Sequence, residues 1–166
     1  VATLFTETAP NPRYATGSVF VVRNDSPIKA ISELKGKSAL ASWSKGFSSY
    51  FAPMGEISKQ GFDPESFFAA YKTYGPPMTN LLQKLENHEG DVVLIRACLL
   101  EDLEKTQPDI FKRFRVLEEK KDNRLRCKHS TDLYPNWTLV ATPSAPWTET
   151  REITKCLLNI PDSVSY

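Results

Sequence analysis

The chain has 166 residues, 40% of them hydrophobic and 25% charged, which is the composition of one globular domain and excludes a disordered chain. Lys and Arg number 21 against 20 Asp and Glu, so the charge balance predicts no surface for nucleic acid or an anionic membrane. No run approaches the roughly 20 apolar residues of a transmembrane helix.

The first half of the chain alternates strand patterns with helix patterns. It predicts, in order, a strand at 2–5, a proline-containing crossing segment at 6–17, a strand at 18–23 and a two-turn helix. A buried strand at 38–42, a helix, a short helix at 63–68 and a strand at 69–74 follow. Ile28, Ile31 and Leu34 form one face of the two-turn helix, which Gly36 ends.

The second half continues the alternation. It predicts a helix that begins near Met78 and has His88 in its last turn, a strand at 92–95, a helix at 99–105 and weaker strands at 114–117 and 125–127. A loop at 128–136, a strand at 138–142 and a last helix, Trp147–Leu158, follow. This order predicts an α/β layer fold with a mostly parallel sheet. The two crossings, at 6–17 and 128–136, are typical of a hinged two-lobed binding protein, although a single sheet with long loops also fits.

A hydroxyl-rich turn follows the predicted strand 38–42. It contains Ser44, Lys45, Ser48 and Ser49 around Gly46, and it opens the next helix. A turn at the carboxyl end of a strand that feeds a helix amino terminus offers free N–H groups and a favourable dipole to an anion. The alternative is that the turn is only a cap and a connection.

The cysteines and histidines predict no catalytic or metal site. Cys156 shares a helical stripe with Ile153 and Leu157, which predicts a buried thiol. Cys98 and Cys127 lie in polar loop-edge contexts, where they can pair, react as thiols or be inert. The chain has two histidines and no CxxC, nucleophile–histidine–acid set, paired-carboxylate motif or phosphate loop, so neither a zinc site nor a hydrolase is predicted.

Several motifs resemble one family. Residues 26–37, SPIKAISELKGK, are similar to the start of the second lobe of phosphonate-type periplasmic substrate-binding proteins. GFDP at 61–64, YGP at 74–76, ACLLE at 97–101 and RCKHSTDLYPNW at 126–137 narrow the match. Together they resemble the extracytoplasmic sensor domain of tetrathionate-sensing histidine kinases, over about residues 12–158. The last two motifs are the more specific ones.

The resemblance implies a type 2 periplasmic-binding-protein-like fold, in which two α/β lobes close on a small anion. Residues 18–128 are then a complete second lobe, and residues 1–17 and 129–166 are crossing segments and the carboxyl-terminal part of the first lobe. About a hundred further residues of the first lobe are expected before Val1. The implied location is periplasmic, as an extracytoplasmic domain of an inner-membrane protein.

The resemblance also implies a function and a site. The domain is expected to bind tetrathionate or another sulfur or phosphorus oxyanion and to pass lobe closure to a membrane helix and a histidine kinase domain. No cofactor and no catalytic residue of its own are expected, and a homodimer through the parent protein is compatible with this function. The expected ligand-binding residues are Trp43, Ser44, Lys45, Phe47, Ser48, Ser49, Tyr74 and Tyr134.

Three alternatives stay open. Tyr134 and Trp137 are expected to close the cleft from the returning segment, but packing in a core or hinge is favoured for Trp137. Cys98 and Cys127 are expected to form a structural disulfide in an oxidising periplasm, and a cysteine-based redox sensor is the alternative. The domain can also be the solute-binding protein of a phosphonate- or phosphate-type transporter, although residues 75–77, GPP, replace a histidine of that type.

Overall fold

The computed structural model describes residues 2–3 and 6–160. The strands are β1 (Ala2–Thr3), β2 (Ser18–Arg23), β3 (Ser38–Ala41), β4 (Ala70–Thr73), β5 (Val92–Arg96), β6 (Phe114–Val116) and β7 (Thr138–Leu139). The helices are α1 (Ala52–Lys59), α2 (Pro64–Phe67), α3 (Thr79–Glu86), α4 (Leu99–Glu104), α5 (Ile110–Arg113) and α6 (Trp147–Leu158). Residues 4 and 5 of the predicted first strand lie outside the described residues, as do residues 161–166.

Five strands form the main sheet in the order β4-β3-β5-β2-β6. β3 pairs in parallel with β4 and β5, whereas β2 pairs antiparallel with β5 and β6. Four strands therefore run in one direction and β2 alone is reversed, because the chain enters β2 from the crossing segment and not through a helix. The predicted α/β fold with a mostly parallel sheet is confirmed.

Both faces of the sheet are covered, which explains the apolar strands. Val19 and Val21 of β2 point to the face covered by α3, α4 and α5, and Phe20 and Val22 point to the face covered by α1 and α2. The central strand β5 is buried from Val92 to Ile95, as is typical of parallel strands between two helical layers. No helix in the described ranges has the length and hydropathy of a membrane span.

The predicted two-turn helix is shorter than expected. Only Ile31–Leu34 is helical, as one 3-10 turn, and Gly36 follows it with a positive φ of 73°. The Ile31 N–H donates a hydrogen bond of 2.7 Å to Glu118 Oε1, and Glu118 follows the outer strand β6. This distant cap fixes the start of the turn, so Ile28 is buried beside the helix and not within it.

Residues 125–127 do not form the predicted strand. The Arg126 N–H donates to the Thr8 carbonyl and the Lys128 N–H donates to Glu101 Oε1, each at 2.8 Å. A disulfide between Cys98 and Cys127 joins this loop to the end of β5. The prediction was wrong because the apolar side chains of this segment fill a small separate core beside the disulfide.

The prediction that Cys156 is buried was also wrong. Cys156 is exposed, and α6 contains no buried residue. Among the residues of α6, only Thr150, Thr154 and Leu157 are partly buried, and all three lie along the groove beside β7. Ile153 and Leu157 of the predicted stripe line this groove together with Thr150 and Thr154, whereas Cys156 does not.

The two crossing segments lie side by side. The Thr16 N–H donates to the Tyr134 carbonyl at 3.0 Å, and the Tyr134 N–H donates to the Thr16 carbonyl at 2.7 Å. At the start of β2, the Ser18 N–H donates to Thr131 Oγ1 at 3.0 Å. The outgoing and returning chains are therefore held together where they leave the sheet.

A charge cluster ties the returning chain to α1. Lys59 and Lys120 both bind Asp132, and Lys120 Nζ lies 2.9 Å from Glu56 Oε2. The hydrogen bond from Lys59, with a second from Lys120, holds the pKa of Asp132 below its usual range. Burial lowers the pKa of Lys120, but its hydrogen bonds to the Glu56 and Asp132 carboxylates outweigh this and raise it.

We expect Asp132→Asn to lower the melting temperature at pH 7 by about 1–4 °C, because a half-exposed pair contributes about 0.5–1 kcal/mol. A lowered carboxyl pKa stabilises the fold above the ordinary pKa of Asp and ceases to do so as the pH falls through the folded-state pKa. The difference between the two proteins should therefore decrease as the pH falls below the ordinary pKa of Asp, about 3.9. Calorimetric scans from pH 7 to pH 3 measure it.

Glu152→Gln is the matched control for this variant, because Glu152 forms an exposed ion pair with Lys155 on α6, away from the crossing segments. It should change the melting temperature little at any pH. A difference for Asp132→Asn that is as large at pH 3 as at pH 7 would contradict the account.

The disulfide gives a second stability prediction. It joins residues 29 apart in sequence, and a closed loop of that length stabilises a fold by about 3–4 kcal/mol. Replacing both Cys98 and Cys127 by Ser should lower the free energy of unfolding by about that amount in urea titrations. Cys156→Ser is the control and should change nothing, because Cys156 is exposed. Equal stability with and without reductant would refute the prediction.

Candidate functional site

A cavity lies at the end of the sheet where β3 and β5 end and β2 begins. Its volume is about 730 Å³. Its lining comes mainly from three parts of the chain: the turn after β3, the end of β5 with the start of α4, and the two crossing segments; Met78, directly before α3, also contributes. The cavity therefore lies where the predicted second lobe meets the chain that leaves it.

The turn after β3 opens a helix with free amide groups. The chain forms a π-helical turn, Phe47–Phe51, that continues directly into α1. The Tyr50 and Phe51 N–H groups both donate to the Gly46 carbonyl, at 2.8 and 3.2 Å. The amides of Phe47, Ser48 and Ser49 have no acceptor among the described residues. These amides and the helix dipole form an electropositive end at residues that line the cavity.

Gly46 and Ser49 fix the shape of this turn. A Cβ atom at Gly46 would lie 2.4 Å from Ser49 Oγ and 3.1 Å from Trp43 Cβ, so no larger residue fits there without rearrangement. The buried Ser49 hydroxyl donates to the Trp43 carbonyl at 3.0 Å. The Tyr71 hydroxyl donates to the Ser49 carbonyl. Ser49 therefore uses its hydroxyl to hold the turn and has only its N–H group free.

Four of the eight predicted ligand-binding residues line the cavity, namely Trp43, Phe47, Ser48 and Ser49. Ser44 and Lys45 are exposed on the outer part of the turn and do not line it. Tyr74 is exposed as well, with the Lys84 ammonium 4.3 Å from the centre of its ring. The structure thus brings half of the predicted set together.

Tyr134 supports the cavity from outside. Its ring packs edge-on against Phe47, with the ring centres 5.0 Å apart, and it is not among the cavity residues. Trp137 from the same segment does line the cavity and is 83% exposed. The prediction that Trp137 packs in a core or hinge was therefore wrong, because the chain beyond the Thr16–Tyr134 pairing carries it away from the sheet.

Arg96 is the site residue that the sequence analysis did not assign to ligand binding. It ends β5, directly opposite Ser18 at the start of β2, and its side chain lines the cavity. Its Nη2 donates to Asp102 Oδ2 at 2.8 Å and its Nη1 donates to the Ala97 carbonyl at 3.3 Å. Strand direction could have identified Arg96, because the carboxyl ends of the parallel strands β3 and β5 lie at the same end of the sheet and Arg96 is the last residue of β5.

Arg96 and Asp102 influence each other electrostatically. Partial burial raises the pKa of the Asp102 carboxyl, but hydrogen bonds from Arg96 and Lys105 outweigh this and hold the pKa below its usual range. Asp102 is therefore ionised at neutral pH. Among the described residues that line the cavity, Arg96 is the only Lys or Arg, and Glu7 and Asp102 are the only carboxylates.

The disulfide forms part of the wall. Cys98 lines the cavity, is buried and takes a left-handed backbone conformation with a φ of 69° directly before α4. Its partner Cys127 is buried in the small core with Leu125 and Leu133. In this structure the cysteines are bonded to each other, which is one of the states that the sequence left open. No cluster of His, Cys, Asp or Glu able to hold a metal occurs within the described ranges.

Solved structures share the fold of this chain. A binding protein component of an ABC phosphonate transporter from Pseudomonas aeruginosa superposes with a TM-score of 0.58 at 19% identity, over 89% of this chain and 46% of that one. A Xanthomonas citri protein solved with ATP bound gives a TM-score of 0.58 at 23% identity, over 83% of this chain and 50% of that one. The predicted fold of type 2 periplasmic binding proteins is confirmed.

Sequence comparison agrees with the fold. The tetrathionate sensor histidine kinase of Salmonella typhimurium is 29% identical over 150 residues, which are 90% of this chain and 25% of that protein. The chain thus spans about a quarter of this curated relative and about half of the two solved structures. A family model described as the periplasmic substrate-binding protein of a phosphonate ABC transporter matches residues 2–164. The chain therefore belongs to the phosphonate-type family of periplasmic substrate-binding proteins.

Proposed function

We propose that the chain is the ligand-binding part of an extracytoplasmic sensor domain in a membrane-bound two-component histidine kinase. Its ligand is a small oxyanion, with tetrathionate as the first candidate because the sensor kinase from Salmonella is a tetrathionate sensor. One observation carries the proposal: the cavity holds the unpaired amides of residues 47–49 and the guanidinium of Arg96. Both groups favour a negatively charged ligand.

The two positive groups lie close together through Ser18. Ser18 is paired with Arg96 in the antiparallel ladder, which separates their Cα atoms by about 5 Å. The Ser18 hydroxyl donates to the Ser48 carbonyl at 2.7 Å. A ligand with two anionic groups can therefore reach the amides with one group and Arg96 with the other. Each hydrogen bond to a charged group contributes about 1.5–3 kcal/mol.

Aromatic side chains provide the apolar part of the cavity. Trp43 and Phe47 come from the turn and are about half exposed, and Trp137 comes from the returning segment. When the lobes close, these rings exclude water from the anion and strengthen its hydrogen bonds. Their polarisable faces suit a chain of sulfur atoms between two sulfonate groups.

The proposed division into lobes explains how ligand binding can act on the kinase domain. Residues 18–128 form the second lobe, and residues 1–17 and 129–166 belong to the crossing segments and the first lobe. Trp137 follows the Thr16–Tyr134 pairing, so it moves with the first lobe when the hinge rotates. Ligand binding then favours the closed form, and the membrane-anchored kinase receives the change.

The second candidate function is solute binding for a phosphonate-type ABC transporter, which the family description favours. Continuation of the protein into a membrane helix and a kinase domain identifies the sensor, and its absence from the complete gene identifies the transporter component. A cysteine-based redox sensor is less favoured, because Cys98 and Cys127 are buried and bonded to each other.

We expect tetrathionate to raise the melting temperature of a protein that contains both lobes. A ligand that binds only the native state at 100 times its dissociation constant adds about 2.7 kcal/mol of stability. A thermal-shift screen of tetrathionate, thiosulfate, sulfite, phosphate and methylphosphonate measures the effect. No shift with any of these anions would count against the proposed function, and a shift with methylphosphonate alone would favour the transporter reading.

We expect Arg96→Gln to weaken tetrathionate binding by about 10- to 100-fold, which corresponds to about one charged hydrogen bond. Lys45→Gln is the matched control, because Lys45 carries the same charge on the same side of the sheet but does not line the cavity. Isothermal titration calorimetry measures both. Equal losses in the two variants would indicate a general effect of net charge and would contradict the assigned site.

A further inference from the structure

The salt bridge between Arg96 and Asp102 presents a problem for anion binding. Asp102 Oδ2 accepts a hydrogen bond of 2.8 Å from Arg96, so the only cationic side chain in the described lining already holds an anion. Glu7 is the second carboxylate of the lining. The charged side chains thus include two carboxylates and one guanidinium, and only the helix amides offset the excess. An anion that reaches Arg96 meets the Asp102 carboxylate there.

The salt bridge between Arg96 and Asp102 is weak enough for a ligand to replace Asp102 as the partner of Arg96. The side chains of Arg96 and Asp102 are 46% and 42% exposed, and pairs of that exposure are weak. Asp102 has a second partner, because Lys105 Nζ lies 3.3 Å from its Oδ1. It also lies in the first turn of α4, where the helix dipole favours a carboxylate. Asp102 therefore keeps favourable contacts when Arg96 turns away.

We infer that Asp102 is an internal competitor for the ligand: an anionic group of the ligand replaces its carboxylate on Arg96, and Asp102 keeps Lys105 as its partner. This inference rests on the proposed binding of an oxyanion in this cavity and adds a specificity determinant to it. Asp102 lowers the affinity for every anion. A ligand that binds the helix amides and Arg96 at the same time compensates for this loss of affinity. The site therefore selects anions with two separated charges.

Removing the Asp102 carboxylate distinguishes this competing role from a positioning role. A carboxylate that only orients Arg96 for the ligand would weaken binding when it is removed. A competing carboxylate would strengthen binding when it is removed, because Arg96 becomes available. Arg96 is held at the end of β5 by its pairing with Ser18, and its Nη1 has a second acceptor in the Ala97 carbonyl, so its place there does not depend on Asp102.

The test is calorimetric titration of sodium tetrathionate, at constant ionic strength, into a protein that contains both lobes. Asp102→Asn should bind tetrathionate about ten-fold more tightly than the unchanged protein. Asp109→Asn is the matched control, because Asp109 forms an exposed ion pair with Lys112 outside the cavity, and its affinity should be unchanged. Lys105→Gln should bind more weakly by several-fold, because displaced Asp102 then lacks its second partner.

Affinity that is unchanged or reduced in Asp102→Asn overturns the inference while the proposed function stands. Tetrathionate binding by neither the unchanged protein nor Asp102→Asn overturns both. If Asp102→Asn does not fold, Lys105→Gln decides: weaker binding supports the exchange, and unchanged affinity refutes it. An equal gain in Asp109→Asn would show a general charge effect and would also overturn the inference.

Discussion

The parallel pairing of β3 with β5 is the constraint on which the site depends. Because the carboxyl ends of both strands lie at the same end of the sheet, the turn after β3 and Arg96, the last residue of β5, are brought together. The reversed strand β2 starts at the same edge, so the crossing segments arrive there as well. Three parts of the chain that are distant in sequence thus form one cavity. Helix amides and a guanidinium then make its chemistry favourable for an anion.

The attachment of the returning chain is as important as the sheet. The disulfide between Cys98 and Cys127 and the charge cluster around Asp132 join this chain to the lobe at two places. The pairing of Thr16 with Tyr134 lies beyond both. Under the proposed division into lobes, rotation occurs after this pairing, in the part of the returning chain that contributes Trp137 to the cavity. A rigid attachment lets a small movement at the ligand become a directed movement of the other lobe.

Local patterns in the sequence predicted the layers, the mostly parallel sheet and the turn after β3, because apolar periodicity and glycine positions report local structure. They did not predict contacts made by distant segments. The cap of Ile31 by Glu118, the irregular loop at Cys127 and the position of Trp137 all depend on how the crossing chains approach the sheet. Arg96 could have been found from strand direction, since it ends a strand parallel to β3. Lys45 was assigned to the site as the cation of the turn and Tyr74 as a wall of the cleft, and neither lines the cavity.

The most direct measurement of the central claim is an NMR titration with tetrathionate, followed through the backbone amide signals of a protein that contains both lobes. Hydrogen bonds from an amide to an anion shift its proton signal strongly. The account predicts the largest shifts at Phe47, Ser48 and Ser49, together with the side-chain Nε–H of Arg96. Saturable binding that leaves these four signals unchanged, or no binding at all, would contradict it.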